Sequence, residues 1–123
     1  MNEERDRGHP LIAVVGPCAS GKTTLVEALI ARGYNARQVA QEHSYVPSMW
    51  EKLTKPDLLI YLDAPYETCT KRKNLNWSQS EYLVQIERLA HARKHCDLYI
   101  QTENISPEDV TQAALELINS IDA

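Results

Sequence analysis

The chain lacks any apolar run approaching the roughly 20 residues that a membrane-spanning helix requires. Its first ten residues, Met1 to Pro10, are polar and carry both signs of charge. We therefore expect no secretory signal there and a flexible tail over residues 1–10. Cysteine is scarce: Cys18, Cys69 and Cys96 are odd in number and lack metal-ligand spacing. Neither a disulfide framework nor a zinc-finger spacing is read from them, and a reduced, cytoplasmic protein is expected. An excess of positive charge is also missing. The formal net charge of -4 over 123 residues argues against a general nucleic-acid binder. Repeats, low-complexity tracts and internal linkers are absent. At this length, residues 11–123 should form a single domain.

What is present is organised around Gly16-Pro17-Cys18-Ala19-Ser20-Gly21-Lys22-Thr23, which fits G-x-x-x-x-G-K-[ST], the P-loop pattern. Leu11 to Val15 precedes it and reads as a fully buried strand. Thr24 to Arg32 follows it and reads as a helix, stopped by Gly33 in the left-handed region. The chemistry accounts for the spacing. Gly16 permits a sharp turn out of the strand, and Gly21 permits close backbone approach to a phosphate. Successive N–H groups and the helix dipole then attract the anion. Lys22 is expected on the β- and γ-phosphates and the Thr23 hydroxyl on Mg²⁺, with Thr24 also against the nucleotide. Cys18, inside the loop, stands where a helix N-terminus can lower a thiol pKa, or is a small filler residue.

Further along, Tyr34 to Glu42 is a weak strand centred on Val39. Ser44 to Pro56 reads as a loop with one short helix burying Met49, Trp50 and Leu53. Asp57 to Asp63 is a second buried strand, and Pro65 opens a helix running to Lys73. Asn74 to Trp77 is a break. Ser78-Gln79-Ser80-Glu81 is a capping box for a helix whose apolar face is Leu83, Ile86, Leu89 and Ala90. Asp97 to Thr102 is a further strand. Ser106-Pro107-Glu108-Asp109 starts a last helix with Val110, Ala114, Leu117 and Ile121 inward. Strands alternate with helices, so the expected fold is α/β. We expect a three-layer αβα domain with a parallel sheet of about four strands in the order 2-1-3-4. Charge is uneven along this chain. From Ala64 to Cys96, Lys71, Arg72, Lys73, Arg88, Arg93 and Lys94 outnumber Glu67, Glu81 and Glu87 by three, while the remainder is strongly acidic. Such a basic segment suggests a second contact to the same anion.

With these stretches in hand, the sequence resembles the small-molecule kinase branch of P-loop NTPases, which includes the adenylate, thymidylate, deoxynucleoside and shikimate kinases. The likeness rests on the P-loop, on Pro56 to Pro65, and on Asp97 to Thr102 leading to Ser106-Pro107-Glu108-Asp109. It implies binding of ATP or another NTP with Mg²⁺. It also implies that Arg72, with Arg93 behind it, belongs to a lid that reaches the phosphates, and that Thr102, Glu103 and Asn104 border the base. The sequence departs from that branch between Ser44 and Asp57, where a strand and an acceptor-binding helical segment are shortened. Two acids compete for the Walker B role of holding Mg²⁺, Asp63 and Glu42. For Asp63 a helix N-cap is the other reading, and for Glu42 an exposed strand end.

Two false signals are set aside. Thr54-Lys55-Pro56-Asp57 matches the guanine signature of GTPases in letters but precedes a strand instead of following one. His43, His91 and His95 lack the spacing of a metal cluster. Two functions remain. One is a small P-loop kinase or ATPase moving a phosphoryl group from ATP to a small-molecule acceptor, with Lys22, Arg72 and Asp63 as its catalytic residues. The other is a nucleotide-binding or slow NTPase module acting through a protein partner.

Overall fold

The computed structural model describes residues 10–74 and 76–122. The expected tail, apart from Pro10, therefore lies outside the described residues, as does Leu75 within the expected 74–77 break. Four strands are present among the described residues: β1 (Leu11–Val15), β2 (Asn35–Gln38), β3 (Leu58–Asp63) and β4 (Leu98–Gln101). With them are six helices among the described residues: α1 (Lys22–Ala31), α2 (Met49–Thr54), α3 (Tyr66–Lys73), α4 (Gln79–Arg88), α5 (Ala90–His95) and α6 (Pro107–Asp122). A single 3₁₀ turn covers Gln41–His43.

All strand pairs are parallel and the sheet order is β2-β1-β3-β4. The central pair is the one with unbroken apolar runs. Every residue of β1 is buried, and so are Leu58 to Leu62 of β3. That is what strands covered on both faces require. Side chains alternate between two cores. Ile12, Val14, Leu58, Ile60 and Leu62 pack with Leu25 and Leu29 of α1 and Ala114 and Ile118 of α6. Ala13, Val15, Leu59 and Tyr61 pack with Val39, Trp50 of α2, Leu89 and Ala92 of α5. The sheet is thus covered by helices on both faces.

Asp57 and Asp97 lie just before β3 and β4 instead of inside them. The Leu11 amide donates to Asp57 Oδ2 at 2.7 Å, and the Leu59 amide donates to Asp97 Oδ2 at 2.8 Å. Each aspartate also gives its own amide to the same residue's carbonyl, Asp57 to Leu11 and Asp97 to Leu59. The two acids clip each strand to its neighbour at the edge opposite the glycine loop. The Ser78–Glu81 capping box forms in both directions at 3.2 Å. The Ser106 hydroxyl caps α6 by accepting from the Asp109 amide at 3.1 Å.

Several expected inward faces are corrected. Leu83 is 56% exposed and Ala90 is exposed, so the inner face of α4 is Tyr82, Gln85 and Ile86, continued by Leu89 just past its end. Leu53 is exposed, leaving Trp50 as the deeply buried residue of α2. In α6 the innermost stripe is Val110, Ala114 and Ile118; Leu117 is only partly buried and Ile121 is exposed. Residues 117 and 118 both continue a helical period from Ala114, and only the position of the sheet chooses between them. Ile118→Ala should therefore cost about 2–5 kcal/mol and Ile121→Ala no more than about 0.5 kcal/mol in urea unfolding. A larger cost at position 121 would reverse the assignment.

Candidate functional site

The chain leaves β1 at Gly16, whose φ of 156° lies at the margin of the left-handed region. A Cβ there would strike the backbone carbonyl of Leu62 and stand 2.6 Å from Ser20 Oγ, so close approach to β3 is what demands glycine. Ala19 (φ 67°) and Gly21 (φ 110°) are left-handed, and Gly21 is the N-cap of α1. The loop closes on itself through the Ser20 amide, which donates to the Pro17 carbonyl at 3.2 Å. The expected strand, glycine loop and helix follow one another in the expected order.

Lys22 turns inward and is only 7% exposed. Its ammonium donates to the carbonyls of Gly16 at 2.7 Å and Pro17 at 3.1 Å, and to Glu42 Oε2 at 2.9 Å. A charge this buried needs such partners. Glu42 is itself buried, and its other oxygen, Oε1, has no hydrogen-bond partner among the described residues. Glu42 is thus a buried acid in the 3₁₀ turn, which corrects both the strand end and the exposed position expected for it. The shift follows from β2, which stops at Gln38, short of the expected extent. Thr23 is exposed at the start of α1, and its hydroxyl accepts from Gln38 Nε2 at 2.9 Å. Cys18, Ala19, Gly21, Lys22, Thr23, Thr24, Gln38 and Glu42 line one cleft of about 480 Å³, together with Arg72 and Lys73.

Arg72 reaches this loop from the last turn of α3. Its guanidinium donates to the carbonyls of Ala19 (3.2 Å), Ser20 (3.5 Å) and Thr102 (2.5 Å) and to the Thr102 hydroxyl (2.9 Å). Thr102, buried just past β4, has its hydroxyl 2.8 Å from the Ser20 carbonyl. A long-range ring of hydrogen bonds therefore joins the glycine loop, α3 and the end of β4. Beside it lies a second cavity of about 250 Å³, walled by Leu25, Leu62, Ile105, Pro107 and Val110, with Ser20, Gly21, Thr24, Arg72 and Thr102 at its polar end.

Other expected residues do not join. Asp63 Oδ1 accepts from the Ala64 amide at 2.9 Å, and Oδ2 accepts from the Tyr99 hydroxyl at 2.6 Å. It lines neither cavity. Pro65, not Asp63, occupies the N-cap of α3. Burial, and next the bond to Asp63, raise the Tyr99 phenol above its usual pKa. Arg93 lies over the Tyr99 ring at 3.8 Å, held there by the aromatic face and away from the loop. Asn104 is exposed and lines neither cavity, and Glu103 accepts from the Thr68 hydroxyl at 3.1 Å. Lys55 is the left-handed C-cap of α2, which accounts for the GTPase-like letters as a helix stop.

Two residues of the site carry no local signal. Gln85, from α4, accepts the Cys18 amide at 3.0 Å and donates to Cys18 Sγ at 3.2 Å. Gln38, from the edge strand, holds Thr23. Each is an ordinary polar residue far from the loop in sequence, and only the folded topology brings it there. The sequence matches neither a model of a known protein family nor a curated protein. None of the described helices is long and apolar enough to cross a membrane.

The two glycine positions make separable predictions. Gly16→Ala should cost about 3 kcal/mol or more, because the backbone of β3 cannot yield. Gly33→Ala, where a Cβ meets nothing within 4 Å, should cost only the left-handed strain of about 1 kcal/mol. Chemical denaturation of both variants checks the order, and equal costs would remove the close-approach argument.

Proposed function

We propose that the Gly16–Thr23 turn is a P-loop that binds a nucleoside triphosphate, ATP in the first instance, and that the protein is a small phosphotransferase resembling the P-loop small-molecule kinases. The observation that carries this reading is the convergence of Lys22 and Arg72 on the carbonyls of one loop, at one cleft. Two cations flanking the start of a helix are a fit receptor for phosphate charge. The apolar 250 Å³ cavity next to Gly21 and Thr24 suits a base or ribose, with Ile105 and Pro107 in place of the expected Glu103 and Asn104. The polar cleft on the other side suits the terminal phosphate and an acceptor.

Mg²⁺ fits the donors present. Thr23 offers a hydroxyl, and Glu42 offers a buried carboxylate oxygen that nothing else satisfies. Both are hard oxygens of the kind that ion takes. Glu42 is therefore the better metal acid, since both Asp63 oxygens are engaged with Ala64 and Tyr99. When bound, Mg²⁺ would neutralise charge on the β- and γ-phosphates. Lys22 would exchange its carbonyl partners for phosphate oxygens, and Arg72 would present its planar fork to the transferring group. A binding module remains the second reading, favoured by the short Ser44–Asp57 segment, which leaves little chain to build an acceptor pocket.

Lys22→Ala should abolish Mg²⁺–ATP binding in calorimetry while the circular dichroism of the fold persists. An unchanged affinity sinks the proposal. A phosphoryl-transfer screen over nucleosides, nucleotides and small polyols separates kinase from module. In any transfer it detects, Arg72→Lys should lower kcat by at least about tenfold with a smaller effect on ATP affinity. Equal turnover in variant and parent would restrict Arg72 to a structural role.

A further inference from the structure

Cys18 and Glu42 line the polar cleft, and His43 comes close to both. Cys18 Sγ is 3.8 Å from His43 Nε2, and His43 Nε2 is 3.8 Å from Glu42 Oε2. One ligand atom from each of the three lies within 4.8 Å of the others. We propose that these residues form a binding site for a thiophilic divalent cation of the zinc type, a site separate in chemistry from any Mg²⁺ position.

Four arguments support it. The donor set is one thiol, one imidazole and one carboxylate, the mixture that borderline-soft Zn²⁺ takes with a fourth position left to water. The spacing is near what tetrahedral coordination asks. With bonds of about 2.3 Å to sulfur and about 2.0 Å to nitrogen, neighbouring ligand atoms stand about 3.5 Å apart, and the Cys18–His43 and His43–Glu42 separations of 3.8 Å lie within a few tenths of an ångström of that. The buried Glu42, its side chain only 6% exposed, also has an oxygen with no partner, Oε1; Oε2, the oxygen 3.8 Å from His43, already accepts from Lys22, so Oε1 is the atom left for an ion. Lastly, the ligands are already supported. Gln85 donates to the Cys18 sulfur, and Arg88 Nη1 donates to the Glu42 carbonyl at 3.3 Å.

Mg²⁺ and Zn²⁺ would both draw on Glu42, and the partners separate them. Hard oxygen at Thr23 serves the first; sulfur and imidazole at Cys18 and His43 serve the second. The site does not depend on nucleotide binding. A zinc ion here would tie the loop after β1 to the turn after β2 and so stabilise the fold by mass action.

The test is Co²⁺ and Zn²⁺ titration of the reduced full chain without nucleotide. We expect one ion per chain, a thiolate-to-cobalt charge-transfer band in the near ultraviolet, displacement of cobalt by zinc, and a rise in Tm. Cys18→Ser should remove the band, and His43→Ala should weaken binding at least about tenfold. His43 is exposed, so the second variant keeps the test valid should Cys18→Ser fold poorly. Cys96→Ser, and His91→Ala with His95→Ala, should leave the band and the affinity unchanged. These controls matter because the His91 and His95 rings lie 4.4 Å apart and could take zinc themselves. Absence of the thiolate band in the parent, its loss in Cys96→Ser, or full affinity in His43→Ala would each overturn the proposal.

Discussion

A lysine ammonium buried to 7% exposure has to find its partners inside the protein, and the C-terminal edge of this sheet is built around that need. Lys22 begins α1, so its side chain turns back beneath the loop that precedes it. There it meets two carbonyls that the loop directs inward, at Gly16 and Pro17. A glycine at position 16 lets the turn lie against Leu62 of β3. The remaining charge is met by Glu42, so the chain after β2 must come back across the end of β1. Removing either member of such a buried pair leaves an uncompensated charge, which is commonly more costly than the pair itself is stabilising.

What fixes Glu42 is its neighbour in sequence. Gln41 is fully buried, and its amide donates to the carbonyls of Val46 (2.8 Å) and Arg88 (3.2 Å) while accepting from the Trp50 amide at 2.8 Å. One side chain thereby joins the 3₁₀ turn, the start of α2 and the end of α4. Trp50 is anchored from its other side by the bond from its indole N–H to His91 Nδ1 at 3.1 Å. The segment after β2 is therefore an ordered brace. It holds an acid against Lys22 and leaves Tyr45 and Val46 exposed at its tip.

Much of this was legible in the sequence where a local rule decides the outcome. Apolar runs marked β1 and β3 as central, the glycine spacing marked the loop, and the Ser78 and Ser106 caps form as their residue types require. The edge strand β2 is Asn-Ala-Arg-Gln, with no apolar alternation, and its place follows from topology alone. Helix faces were less legible. A helical period accommodates Leu117 as well as Ile118, and Leu83 as well as Gln85, and the choice depends on what packs opposite. The polar partners were the least legible part of the site. Gln38, Gln41 and Gln85 are residues of no motif whose amides find their partners only once the sheet has formed.

The same distinction explains why the two acids ended up in different places. Asp63 closes an apolar strand, and by sequence alone it and Glu42 competed on open terms for the metal-binding role. Its pairing with Gln101 in β4 instead sets it beside that edge strand, where Tyr99 stacks on Tyr61 at 5.6 Å and delivers its hydroxyl to the carboxylate. Register thus decides the matter, because the neighbouring strand supplies a donor before any ligand could. Glu42 has no comparable competitor for Oε1, since its surroundings offer one ammonium and that ammonium is spent on Oε2. An acid whose needs are half met, at the meeting point of the loop after β1 and the turn after β2, has an oxygen left for a cation.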